Sequence, residues 1–122
     1  LLVAHGVAGC PNDPYVWLQE AAAACGRVDV MVVTLGDDPR AVAARLASKG
    51  ATRVTLVPLM LCAGHHVRLQ VASRAPGSWA GALVTQGLAV DVVREGLGSI
   101  QAVRDCYVKR ARIALDGAAS PL

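Results

Sequence analysis

The sequence predicts an open α/β fold: a four-stranded parallel sheet in the flavodoxin-type order 2-1-3-4, with helices on both faces. Three observations predict it. Strand-like and helix-like segments alternate four times along the chain. The strand segments are continuously apolar, as expected where helices cover both faces of a parallel sheet. The connections are short, and short crossovers between parallel strands are right-handed.

Leu1 to Ala4 is the first apolar strand, followed by a loop containing Gly6, Gly9, Pro11, Asn12 and Asp13. Pro14 suits the first position of a helix capped by Asn12 or Asp13. Tyr15, Leu18, Ala22 and Cys25 recur at helical spacing, and Gly26 stops the helix. "VDVMVV" (Val28 to Val33) is the second strand. Asp38 caps a helix opened by Pro39, with Val42 and Leu46 on one face and Gly50 as its stop. "RVTLV" (Arg53 to Val57) is the third strand, and Pro58, which cannot donate to a ladder, weakens its pairing. A short helix follows His66, and another runs from about Ser78 to Gln86. "LAVDVV" (Leu88 to Val93) is the fourth strand. After "GLGS", Ser99 caps a last helix that buries Ile100, Val103, Tyr107 and Ala114. One domain is expected over residues 1–115, with 116–122 as a frayed tail.

Bulk properties narrow the function. The chain has 122 residues, is 54% hydrophobic and 17% charged, and contains no phenylalanine. That suffices for one core and excludes disorder. Scarce aromatics give no base-stacking surface, and the basic residues behind the +3 net charge are dispersed, which argues against nucleic acid. A mild positive field suits an anionic small molecule. No segment approaches the roughly 20 apolar residues of a membrane helix. Cys10, Cys25, Cys62 and Cys106 form no C-x-x-C pair; they read as reduced, buried thiols of a cytoplasmic protein.

The chemistry concentrates in the histidines. There are three: His5 ends the first strand, and His65 and His66 follow the third in "PLMLCAGHHVRLQ". In the order 2-1-3-4, strands 1 and 3 are neighbours at the topological switch point, where ligands bind beyond the carboxyl ends of the strands. His5 and one of the pair therefore face one crevice, flanked by Asp37 and Asp38 of the loop after strand 2. Two imidazoles with carboxylates alongside form an open site for a divalent transition metal. Trp79 either lines a pocket or anchors a helix. The glycines of "EGLGS" do not make a nucleotide loop, because Gln101 stands where a third glycine would be, and no P-loop pattern occurs.

"PLMLCAGHHV" closely resembles the strand-to-histidine motif of the class II chelatases that insert cobalt into sirohydrochlorin. "AHGVAGCPNDPYVWLQ" resembles the family's other histidine motif, and "SWAGALVTQGLAVDVVREGLGS" its later S-W and G-L-G elements. The resemblance runs from about Leu1 to Leu115. It implies a chelatase-like half-domain that inserts Co²⁺, or in relatives Fe²⁺ or Ni²⁺, into a carboxylate-rich tetrapyrrole without ATP. The metal histidines fall on His5 and His66. Arg68, near the site in sequence, is a candidate for pairing with substrate carboxylates, and Trp79 for lining the tetrapyrrole pocket. Longer members contain two such halves and the smallest dimerise, so a homodimer or a second half-domain is implied. Acidic positions of the family read Leu35-Gly36, His65 and Gln70 here, with Asp37 or Asp38 standing in for the first.

The rival from another class is a non-catalytic metal or tetrapyrrole binder using the same crevice. A flavodoxin-like mononucleotide binder would need a Ser/Thr-rich phosphate loop after strand 1, which "HGVAGCPNDP" lacks.

Overall fold

The computed structural model describes residues 1–6 and 13–118. Cys10 and Asn12, the latter one of the two expected caps of the first helix, lie outside them, as do residues 119–122. Four parallel strands, β1 (Leu2–Ala4), β2 (Val32–Thr34), β3 (Arg53–Leu59) and β4 (Ala89–Val92), form one sheet in the order β2-β1-β3-β4. The helices are α1 (Asp13–Ala24), α2 (Pro39–Ser48), α3 (Trp79–Thr85) and α4 (Gln101–Ala118). A π-turn (Val67–Val71) precedes α3, and a 3₁₀ turn (Leu97–Ser99) precedes α4.

Local chemistry sets the boundaries. The Asp38 carboxylate accepts from Arg40 N at 2.9 Å ahead of Pro39 at the first helical position. Gly50, at φ +84°, ends α2 in a conformation that side chains resist. Asp38→Ala should lower unfolding stability by about 1 kcal/mol, the usual cost of losing a cap, read as a reduced urea midpoint at constant slope.

Strand β2 is shorter than the apolar run Val28 to Val33. Arg27 and Asp29 pair at 2.9 Å within a turn, Val28 is 89% exposed, and ladder pairing begins at Val32 opposite Leu2. Below that point Gln19 of α1 bridges the chain, donating to Val30 O and accepting from Val32 N. Strand β3, in contrast, continues through Pro58 to Leu59. Val57 N donates to Leu1 O on the β1 side, so the Pro58 nitrogen faces the β4 side. There the register has already ended at Leu56 opposite Val92, and the missing donor costs no ladder bond.

Alternation along β3 divides the two faces. Val54, Leu56 and Pro58 are buried towards α2 and α3, which pack against each other over a core containing Val3, Val42, Trp79 and Leu83. Arg53 and Thr55 are exposed on the other face, where Arg53 Nε donates to the Asp91 carboxylate of β4 at 2.6 Å. That bond holds the Asp91 carboxyl below its ordinary pKa. The small support it gives the β3–β4 pairing is therefore present above the ordinary carboxylate range and fades as pH falls through the lowered value.

The last helix departs most from expectation. Ser99 is not its cap: its hydroxyl donates to Gly96 O, and Ile100 O accepts the first helical bonds, from Val103 and Arg104. Ile100 and Tyr107 are 49% and 60% exposed, and Ala114 is exposed too, because α4 packs chiefly on the Leu97–Ser99 turn and not on the sheet. The helix continues to Ala118, three residues past Leu115.

Candidate functional site

Strands β1 and β3 pair in register from Leu2–Val57 to Ala4–Leu59, so both release their chains at the same sheet edge. His5 follows Ala4 directly. From β3 the chain passes Met60 to Gly64 before His65 and His66 begin the helical segment that becomes the π-turn. Val67 and Val71 are 2% and 0% exposed, and they anchor this segment to the body while His65, His66 and Gln70 stay exposed. Single π-turns of this kind are frequent at functional sites.

The two histidines meet. The rings of His5 and His66 lie 4.7 Å apart between centroids, edge to face at 85°. The His65 ring lies 6.0 Å from that of His66. His5 Nδ1 is 2.7 Å from Gly6 O, and His66 Nδ1 is 3.2 Å from Gln70 Oε1. A carbonyl has no proton to give, so in both cases Nδ1 carries the hydrogen and donates it. The Nε2 lone pair of each ring is left free to bind a metal or take a proton.

The loop between β3 and His65 is shaped from the far side by the 3₁₀ turn. Leu97 N donates to Met60 O at 2.8 Å and Gly98 N to Leu61 O at 2.9 Å. A Cβ on Gly96 would fall within overlap distance of Leu61 O and of the Cys62–Ala63 backbone. The G-L-G glycines thus permit backbone contact with the histidine loop, a role that their spacing alone did not reveal. Gly96→Ala should displace that loop and lower metal affinity about tenfold, the lower end of the loss seen when ligand-orienting groups go. Calorimetric titration with Co²⁺ checks it.

The remaining expected site residues are placed differently. Asp37 Oδ2 accepts from Thr34 N at 2.7 Å and from Thr34 Oγ1 at 3.1 Å, closing the β2 loop on itself. Among the described residues no group of three or more His, Cys, Asp or Glu side chains is placed to hold a metal ion, so Asp37 does not join the histidines. Arg68, two residues beyond His66, is exposed. Trp79 is 2% exposed in the core, which corrects its expected place against a ligand: it anchors α3. Cys25, Cys62 and Cys106 are free and exposed, where burial was expected. Gln70 was noted only as a missing acid; its i, i+4 spacing from His66 was the signal for its role as that ring's partner.

Fold and site together define an open α/β protein that presents a bare imidazole pair at its switch point. The chain belongs to the cobalt chelatase (CbiK) family, whose model matches residues 1–116. Its structure is similar to that of a cobalamin (vitamin B12) biosynthesis CbiX protein from Marinobacter aquaeolei VT8. The TM-score is 0.64 at 18% identity, over 94% of each chain. None of the curated proteins compared matches the chain. Membership of the chelatase family and the sheet order 2-1-3-4 agree with the reading of the sequence.

Proposed function

We propose that this protein inserts Co²⁺ into sirohydrochlorin without ATP, as a cytoplasmic step of cobalamin biosynthesis. The observation that carries the reading is the His5–His66 pair, its rings 4.7 Å apart and each hydrogen-bonded through Nδ1, at the switch point of a cobalt chelatase family member. Insertion requires that the metal exchange its water ligands and that two pyrrole protons leave. Two neutral imidazoles from the segments that follow separate strands can hold the ion from one side while the macrocycle docks on the open side. A ring that releases the metal then accepts a pyrrole proton, a task imidazole suits because it titrates near neutral pH. Arg68 pairs with substrate carboxylates. The working unit is two half-domains, supplied by a homodimer. Free thiols at Cys25, Cys62 and Cys106 fit a reducing compartment.

Anaerobic incubation with sirohydrochlorin and Co²⁺, followed by absorbance, tests the reading; parallel reactions with Fe²⁺ and Ni²⁺ rank the metals. An unchanged macrocycle spectrum beside an active control chelatase would reject insertion. A second reading, binding without turnover, is favoured by one observation: both histidines hand their Nδ1 protons to neutral oxygens and not to carboxylates. It is distinguished by stoichiometric Co²⁺ binding in the absence of product.

A further inference from the structure

We propose that Asp37 is a positioning residue for His5, acting through Thr34 and Gly6. The inference rests on the reading of His5 as a metal donor. It gives the loop after β2 a role in the site that requires no contact with the metal.

Three contacts in series make the connection. The first fixes Thr34, the last residue of the edge strand β2. Leu35 N donates to Ala4 O at 2.9 Å, so Thr34 N, one residue earlier, points away from β1. Asp37 Oδ2 accepts from that N–H at 2.7 Å and from Thr34 Oγ1 at 3.1 Å. One carboxylate oxygen thus holds both the backbone and the side-chain rotamer of a buried threonine. The second contact sets Gly6 against that side chain. Gly6 stands at φ +71°, and a Cβ there would lie 3.1 Å from Thr34 Cβ and 3.5 Å from Thr34 Cγ2 and Oγ1. The third is the 2.7 Å bond between Gly6 O and His5 Nδ1. Rotation at the Gly6 φ swings this carbonyl, so the bond lasts only while the glycine keeps its place.

The end of β2 therefore holds both neighbours of His5: Ala4 through the bond from Leu35, and Gly6 through the Thr34 side chain. Removing the Asp37 carboxylate strips the acceptor from two donors of a buried residue. Thr34 then turns, Gly6 loses its support, and the carbonyl leaves Nδ1. Without that acceptor the His5 hydrogen is free to sit on Nε2, and a protonated nitrogen cannot bind a metal. His66 is held differently, by Gln70 of its own helical segment, and is independent of this series. An amide oxygen at position 37 could accept the same two bonds, but it has no charge with which to hold a cation. Asparagine therefore separates positioning from direct ligation.

The test is imidazole ¹⁵N NMR of the full, metal-free chain at about pH 8, where an ordinary imidazole is neutral. Calorimetric Co²⁺ titration of the same samples accompanies it. The chain has three histidines, so replacing each in turn assigns the signals. Asp37→Ala should move His5 from the Nδ1-protonated form to a mixture of tautomers and leave His66 unchanged. It should also lower Co²⁺ affinity about tenfold, as when a ligand-orienting group is lost. Asp37→Asn should keep both properties near native. Gly6→Ala, with Asp37 intact, should reproduce the His5 change, because it breaks the last link. Unmoved His5 signals in Asp37→Ala would overturn the proposal. Equal affinity losses in Asp37→Asn and Asp37→Ala with His5 unmoved would overturn it in favour of a carboxylate on the metal. A His5 shift in Asp37→Ala, beside a native chain that binds no Co²⁺, would support the positioning role and reject the metal reading.

Discussion

His66→Ala and His5→Ala should each reduce Co²⁺ insertion by more than about 100-fold. Losing an outer group that merely orients a ligand costs 10- to 100-fold in metal affinity or activity, and a direct donor must exceed it. Each ring reaches the pair from a different loop and is held there through its own Nδ1 contact, so neither can replace the other. His65→Ala should keep most activity, since the His65 ring stands 6.0 Å from His66, farther than the 4.7 Å between His66 and His5. Gln70→Leu should fall between, because it frees the His66 ring to rotate and to shift its proton to Nε2. Single-turnover assays together with Co²⁺ titrations check the order. Full activity in His66→Ala beside a dead His65→Ala would reverse the assignment of the two rings.

Trp79→Ala should destabilise the fold by about 3–5 kcal/mol, the usual cost of truncating a buried large aromatic. The ring is 2% exposed among Val3, Leu56 and Leu83, so a large cavity would open between α3 and the sheet. Against the 5–15 kcal/mol that stabilises a typical domain, this is among the most damaging substitutions available here. Urea denaturation at 25 °C measures it. If Trp79 served mainly to stack on a tetrapyrrole, the midpoint would hardly move and only substrate affinity would fall.

The sequence revealed most where chemistry is local. Gly26 and Gly50 end helices as expected, both at positive φ, and the Asp38–Pro39 start of α2 is read directly from capping rules. The meeting of His5 with one of the His65–His66 pair was also legible from the strand order 2-1-3-4, and the family resemblance pointed to His66. What failed depended on distant partners. The run Val28 to Met31 is as apolar as a strand, but it lies outside the ladder that β1 shares with β2. The Gly96 and Gly98 pattern has meaning only against the Leu61 carbonyl, more than thirty residues earlier.

The neutral oxygens that receive the histidine protons have a further consequence. An imidazole backed by a carboxylate becomes a stronger donor and holds its ion more tightly. Gly6 O and Gln70 Oε1 carry no charge, so His5 and His66 remain weak donors in an exposed place. Under the proposed function such a pair would be a poor store and a good relay: the ion would gain affinity in the macrocycle without having to escape a deep well first. The protein would then rest mostly empty in the cell, its loading set by the free pool of the metal.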